Sequence, residues 1–304
     1  MDASKYIWLD GEMVGWDDAK VHVLTHALHY GSSVFEGIRA YATDQGPAVF
    51  RLQEHMQRLV DGCNAYLIPL DYTADELVEL VKEVLRVNEL PEAYIRPLAF
   101  LGLGSIGLNP AGAQTHLMIA AWRWGTYLGE DGVKNGIRGR FSSWRRIDHQ
   151  SLIPSAKGGG GYLNSILAKS EAVKAGYDEA LMLNTQGYLA EGSGENVFVA
   201  KNGLVTTPPA SDGCLGGITR DSVIQILEAG GYEVKEQSMT RGNLYTADEV
   251  LLCGTAAEVT PLREVDDRPI GTGTPGPVTR YVQATFAKAV RGELPEYEHW
   301  LARV

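Results

Sequence analysis

The amino-acid sequence predicts a two-domain α+β protein, and three observations predict it. The chain has 304 residues, beyond the length at which a single hydrophobic core usually keeps growing. Strand-like and helix-like segments mix along it without the regular alternation that builds a doubly wound parallel sheet. The stretch from Gly125 to Gly136, GTYLGEDGVKNG, is rich in glycine and charge and carries neither periodicity, so it reads as a linker. The expected organisation is a small N-terminal α+β domain over 1–124, a linker over 125–136, and a large C-terminal domain over 137–304.

The elements follow in order. Tyr6 to Leu9 and Glu12 to Val14 flank Asp10-Gly11, a pair suited to the type I′ turn of a hairpin. Val34 to Tyr41 and Ala48 to Leu52 predict a second antiparallel pair, joined through Asp44-Gln45-Gly46-Pro47. Leu77, Leu80, Val81, Val84 and Leu85 follow helical spacing behind Asp75 and Glu76, and acids are favoured at a helix start. Strands are expected over Tyr94 to Leu101 and His116 to Trp122, then near Arg138 to Ser143, Ala180 to Asn184 and Asn196 to Ala200, with Asn202-Gly203 as another hairpin turn. A helix is expected from about Thr219 to the Gly230-Gly231 stop, and a last one from about Val278 to Arg291.

Composition narrows the function. The formal net charge is −11, which disfavours nucleic acid and anionic membranes as partners, because both reward excess Lys and Arg. An anionic ligand therefore needs a locally built site. Cys63, Cys214 and Cys253 show no CxxC spacing and suit a reducing, cytoplasmic compartment. No basic start precedes an apolar run at the N-terminus, and no stretch of about 18 apolar residues occurs.

Several motifs are decoys. Gly102-x-Gly104-x-x-Gly107 matches a dinucleotide fingerprint, but turn residues follow it instead of a helix. Gly271-x-Gly273-x-x-Gly276 precedes a helix, with too little chain left to complete a nucleotide-binding domain. His22, His26 and His29 have helical spacing but no carboxylate nearby in sequence, so no metal site is expected. The charges at Arg145-Arg146 and from Glu76 to Lys82 read as solvated surface.

Four segments carry chemistry. Lys157 is followed by Gly158-Gly159-Gly160-Gly161-Tyr162. So many glycines cost backbone entropy and suit a place where something bulky approaches the main chain. A lysine amine in partly apolar surroundings loses its proton more readily and becomes nucleophilic; a flexible surface loop is the plainer reading. Glu191-Gly192-Ser193-Gly194-Glu195-Asn196 is either a solvated turn or a source of a buried carboxylate for a protonated ring nitrogen. Gly216-Gly217-Ile218-Thr219 leads into a helix and offers either a phosphate seat or simple capping. Gly254-Thr255-Ala256-Ala257-Glu258 is a small-residue turn whose backbone could receive another anion.

In this order the four segments resemble the branched-chain amino acid aminotransferases, within the fold type IV pyridoxal-phosphate enzymes. Tyr30 to Tyr41 (YGSSVFEGIRAY), Phe50-Arg51 to Arg58-Leu59, Ala93 to Pro97 and Trp124 to Gly129 extend the likeness over about Tyr6 to Trp300. The resemblance implies a two-domain fold of the D-amino acid aminotransferase type, with the cofactor lysine in the large domain. It implies pyridoxal 5'-phosphate as cofactor and transfer of an amino group between leucine, isoleucine or valine and 2-oxoglutarate. Lys157 would carry the cofactor and move a proton, Glu191 would meet its pyridine nitrogen, and Tyr162 its phenolic oxygen. Arg58, Gly217, Ile218, Thr219 and Thr255 would hold the phosphate. Tyr94 and the backbone of Thr255, Ala256 and Ala257 would receive the substrate α-carboxylate. Tyr30, Phe35, Trp124 and Tyr127 would wall an apolar pocket, with Gly37 and Arg39 lining the same region. Arg96 would reach the distal carboxylate of glutamate. A homo-oligomer, at least a dimer, is implied as well. Gly161 and Gly216 depart from the asparagine and proline often found there, loosening the backbone. Alternatives are a D-amino acid aminotransferase or aminodeoxychorismate lyase of the same fold, a nicotinamide-dependent dehydrogenase, and a non-catalytic binding protein.

Overall fold

The structure, a computed structural model, describes residues 3–104, 106–125 and 129–304. Chain contacts divide it into two compact units. One comprises Met1–Gly125, Ala156–Gly161 and Ala289–Val304, and the other Thr126–Ser155 and Tyr162–Lys288.

The first unit begins with the hairpin of β1 (Tyr6–Leu9) and β2 (Glu12–Gly15). Asp10 and Gly11 have φ of 49° and 99°, the double positive φ that a type I′ turn demands. Then come α1 (His26–Tyr30), β3 (Ser33–Phe35), β4 (Ile38–Thr43), β5 (Gly46–Phe50), α2 (Leu52–Ala65), α3 (Ala74–Val87), β6 (Ala93–Leu101) and β7 (Thr115–Trp122). Among the described residues one sheet runs from the C-terminal strand Leu301–Arg303 through β5, β4, β6, β7 and β1 to β2, with β3 also pairing β6. α3 starts at Thr73 with a reciprocal capping box to Glu76, which satisfies two backbone donors at once. Its apolar stripe, Leu77, Val81, Val84 and Leu85, joins Leu52, Met56 and Leu59 of α2 over Ile38, Val49, Ile95 and Ile119 of the sheet. Hydrophobic burial of this face holds the helices, because isolated helices of this length are marginal.

The second unit contains α4 (Gly129–Asn135), β8 (Ile137–Arg145), α5 (Tyr162–Lys174), β9 (Glu179–Leu183), β10 (Leu189–Gly192), β11 (Asn196–Lys201), β12 (Leu204–Thr207), α6 (Ile218–Ala229), β13 (Glu233–Glu236), α7 (Arg241–Tyr245), β14 (Glu249–Gly254), β15 (Glu258–Val265), β16 (Arg268–Pro269) and α8 (Pro277–Ala289). The sheet order is β10-β9-β8-β15-β14-β11-β12-β13, with β16 on β15. β8 runs parallel to both β9 and β15, while β11, β14 and β15 are antiparallel neighbours. Every residue of β9 is buried, as expected for a central strand covered on both faces. The class is α+β, as the irregular alternation implied.

The structure differs from the sequence reading at four places. The strand expected over Val34 to Tyr41 breaks at Glu36-Gly37, where the Glu36 N–H turns to the Pro97 carbonyl at 2.9 Å. Residues Gly129–Asn135 of the expected linker form α4, because glycine content does not prevent about two helical turns with local pairing, here Asn135 to Asp131. α2 and α5 were not singled out in the sequence, although Leu52, Met56, Leu59 and Cys63 of α2 do repeat at helical spacing. Finally, Ala156–Gly161, including Lys157, packs with the first unit rather than with the 137–304 segment. The Phe35 N–H donates to the Lys157 carbonyl at 3.1 Å and Val34 bridges Gly158, so main-chain pairing with β3 fixes that allegiance.

Candidate active site

In the first unit, strand alternation builds an apolar wall with two cations on it. Phe35, Gly37 and Arg39 follow period two, and antiparallel register sets Phe35 opposite Leu98 and Arg39 opposite Tyr94. The Arg96 guanidinium lies 4.6 Å from the Phe35 ring centroid, and the Lys157 Nζ lies 5.2 Å from it. A ring face attracts cations, so Phe35 orients both. Arg96 Nη2 donates to the Tyr94 hydroxyl at 2.9 Å, whereas its buried Nε has no partner among the described residues. A buried donor left unmet is costly and suits a carboxylate-bearing ligand. A Cβ at Gly37 would overlap the Tyr94 hydroxyl, so only glycine lets that hydroxyl sit there. The Trp124 ring packs against Tyr94 at a 45° tilt, with ring centroids 4.4 Å apart. Tyr30 is largely exposed and donates to the Ile106 carbonyl at 2.6 Å. Tyr127 lies outside the described residues.

The glycines after Lys157 do face a close approach, and the approaching group is the chain itself. A Cβ at Gly159 would overlap Ser33 Oγ, and one at Gly158 would come within 2.7 Å of the Tyr66 ring. The Gly160 N–H donates to the Gly31 carbonyl at 3.1 Å. The run therefore seats the lysine loop tightly against the start of β3.

On α2, Arg58 makes a two-pronged pair with the fully buried Glu36, Nε to Oε1 at 2.6 Å and Nη2 to Oε2 at 2.8 Å. His55 Nδ1 meets the same Oε2 at 2.8 Å. Burial alone would raise the Glu36 pKa, but the Arg58 charge and the hydrogen bonds from Arg58 and His55 carry it far below the usual carboxylate range. Burial also lowers His55, against the pull of Glu36. Neither Glu36 nor His55 was singled out in the sequence. The signal was present as a lone acid inside an apolar strand segment, but nothing in one dimension pairs it with residues 19 and 22 positions later.

In the second unit, Glu191 is the centre. A register shift between Leu189 and Glu191 sits at this point of β10, and such bulges re-aim a side chain. Glu191 Oε1 pairs with Arg146 Nε at 2.8 Å. Its Oε2 accepts from the Leu215 N–H at 3.0 Å and from Asn196 Nδ2 at 3.3 Å. This corrects the reading of Arg146 as solvated surface. Arg146 is buried, and a buried guanidinium persists only with a counter-charge. Gly217 caps α6 with no side-chain hydrogen bond, so simple side-chain capping does not explain the segment. A Cβ at Gly217 would overlap Asn196 Oδ1. Ile218 and Thr219 open α6 as buried residues, and Tyr162 opens α5 half-buried. Thr255, Ala256 and Ala257 form the turn between β14 and β15, closed by Thr260 Oγ1 donating to the Ala257 carbonyl at 2.8 Å.

The glycine decoys have structural uses. Gly102 and Gly104 have no room for a Cβ against His116 and Ala113. Gly276 precedes α8, whose first turn is already capped by Glu249, accepting from the Val278 and Thr279 N–H groups at 3.0 and 2.9 Å. His26 is buried and bonds Ser32 Oγ at 2.6 Å and the Gly107 carbonyl at 3.1 Å. Among the described residues no group of three or more His, Cys, Asp or Glu is arranged to hold a metal ion.

The first unit offers a lysine amine beside an aromatic face, and the second offers a carboxylate clamped by arginine and backbone and a glycine-led helix start; groups of these kinds fit an aldehyde-bearing, ring-nitrogen, phosphorylated cofactor. Fold and donor set together define a fold type IV pyridoxal-phosphate enzyme. The model of the family described as amino-transferase class IV matches residues 33–265. The branched-chain-amino-acid aminotransferase of Escherichia coli (strain K12) is 49% identical over 300 residues, covering 98% of this chain and 97% of that protein. The one from Pseudomonas aeruginosa is 46% identical over 299 residues, covering 98% and 97%. A solved T.th. branched-chain amino acid aminotransferase with pyridoxamine 5'-phosphate superposes with a TM-score of 0.96 at 49% identity, covering 100% of this chain and 99% of that one. The chain belongs to the class IV aminotransferases, and its cofactor is pyridoxal 5'-phosphate.

Proposed function

We propose that the protein transfers amino groups between branched-chain L-amino acids and 2-oxoglutarate. The observation that carries this reading is Phe35 flanked by both Lys157 and Arg96. An aromatic wall accepts an aliphatic side chain, and a guanidinium with an unmet Nε accepts a second carboxylate. One pocket thereby serves two chemically different substrates. The high identity to branched-chain aminotransferases supports the same choice.

Bound coenzyme supplies an aldehyde carbon and an electron-accepting ring. Lys157 would hold the coenzyme through its amine and would serve as the base that moves the substrate Cα proton. Glu191 would receive the pyridine N–H, Tyr162 would bond the phenolic oxygen, and Arg58, Gly217, Ile218, Thr219 and Thr255 would hold the phosphate. Tyr94 and the Thr255 to Ala257 backbone orient the α-carboxylate. Tyr30, Phe35, Gly37, Arg39, Trp124 and Tyr127 exclude water around the side chain, and Arg96 binds the distal carboxylate. The purified protein is expected to be yellow and to bleach with borohydride, with coenzyme fixed to Lys157. Lys157→Ala should lower transamination by about ten-thousand-fold. A colourless protein indifferent to added pyridoxal phosphate would refute the reading. Arg96→Lys should lower kcat/KM for glutamate about tenfold more than for leucine, because lysine lacks the planar fork; equal losses would count against the assignment.

A homo-oligomer, at least a dimer, belongs to the same proposal. Val23, Leu28 and Leu108 are 74%, 63% and 84% exposed on segments tied together through His26, Tyr30, Ile106 and Gly107. Clustered exposed apolar side chains mark an interaction surface; sedimentation at the mass of one chain would remove this part. We also place the protein in the cytoplasm. Its three buried free thiols support that, and fractionation with another compartment would reverse it. Among the described residues no helix is long and apolar enough to cross a membrane.

A further inference from the structure

Two carboxyl groups lie buried beneath the turn that joins β10 to β11. Glu179 on β9 is fully buried and heavily bonded. Its Oε2 receives Lys169 Nζ at 2.5 Å, and its Oε1 receives Ser193 Oγ at 2.5 Å and the Ala180 and Ser193 N–H groups at 2.7 and 3.3 Å. Glu195, only 4% exposed, accepts the Gly194 N–H at 3.2 Å and lies within reach of the Glu179 charge. Two buried carboxylates within reach of each other's charge repel, so one of them keeps a proton. The count of charges agrees, because α5 contributes the single cation Lys169 against two acids.

The position of this pair matters. Glu191 and Asn196 flank the turn, and Asn196 Nδ2 donates to Glu191 Oε2. Within the turn the Gly192 N–H donates to the Glu195 carbonyl at 2.7 Å, and a Cβ at Gly192 would come within 2.8 Å of Glu195 Oε2. On the β14 side, a Cβ at Gly254 would lie 3.8 Å from both the Glu195 Cα and Cγ, and Gly254 leads directly into the Thr255 to Ala257 turn. We propose that Glu195 is a positioning residue that shares one proton with Glu179 and thereby locks both the turn aiming Glu191 and the strand end presenting Thr255. The groups acting on it are Lys169 from α5 and Glu179 from β9, and its own charge reaches the buried Cys253 thiol on β14. Burial and the Glu179 charge push Glu195 well above the ordinary glutamate range, with Lys169 pulling the other way. A group whose pKa folding raises contributes stability below its unfolded value and loses it as pH rises towards the folded one. Ionisation of Glu195 would therefore set a one-proton limit on this lock from the neutral side.

The inference rests on the proposed role of Glu191, but its first readout does not need coenzyme. Unfolding of the full chain by urea between pH 5 and 9 compares the natural protein with Glu195→Gln. Glutamine keeps the size and a donor to Glu179 without ionising. The natural protein should lose folding equilibrium constant relative to Glu195→Gln by up to about tenfold per pH unit as pH rises from 5. Parallel profiles overturn the proposal, whether or not pyridoxal phosphate binds. The second readout is the dissociation constant of pyridoxal phosphate by absorbance. Glu195→Gln should match the natural protein within about threefold at pH 6 and bind more tightly than it at the alkaline end, while Glu195→Ala should bind at least tenfold more weakly throughout. Glu195→Ala binding as the natural protein does would also overturn it.

Discussion

Glu36 in the first unit and Glu195 in the second are the same side chain under the same burial, with opposite proton affinities. Glu36 has Arg58 on both oxygens and His55 on one of them. Glu195 has another acid as its partner, and the one ammonium nearby bonds that partner. Burial raises both carboxyls; the local count of charges decides whether the proton stays. The first unit thus holds an anion that makes a fixed seat for an arginine. The second holds a neutral acid that fixes a turn.

The largest effect should follow from removing the first of these. Glu36→Leu leaves Arg58 and His55 without their buried counter-charge and should cost roughly 3–5 kcal/mol in urea unfolding. A loss under 1 kcal/mol would erase the contrast. The pH dependence has a defined sign. Folding lowers Glu36 and His55, so their contribution is complete above the unfolded values and declines as pH falls through the histidine range and then the glutamate range. Glu36→Gln should flatten the lower part of that acid limb while leaving the alkaline limb in place. A second variant sharpens the comparison. Glu191 has one arginine, like Glu36, but two neutral donors besides. Arg146→Met should therefore cost about 2–3 kcal/mol, less than Glu36→Leu, because the neutral donors remain; it should also weaken pyridoxal-phosphate binding measured by absorbance. The smallest effect belongs to an exposed carboxylate. Glu76 is bonded by Thr73 at the start of α3, and Thr73→Ala should lower Tm by about two degrees near neutral pH, with the gap narrowing as pH falls through the glutamate range.

The contrast also explains what was legible in the sequence. Lys157, Glu191, Thr219 and Thr255 stood out because glycines or small residues crowd around them, and chain conformation records that locally. Phe35, Gly37 and Arg39, with Tyr94 and Arg96, were reached only through the family resemblance; the strand register then sets Arg39 opposite Tyr94. Arg146 was misread because its partner lies 45 positions on in β10, and nothing near Arg146 in sequence announces burial. Glu36 with Arg58 and Glu179 with Glu195 were hidden for the same reason.

The sequence by itself determined many of the elements, the hairpin turns at Asp10-Gly11 and Asn202-Gly203, the α+β class and the segments that carry the candidate chemistry. These depend on interactions within a few residues, where periodicity and backbone preference act. Tertiary structure alone decided that the lysine loop packs with β3, which arginine faces which acid, and which buried carboxyl keeps its proton. Charge energies depend on distance and burial in three dimensions, and neither quantity is written along the chain.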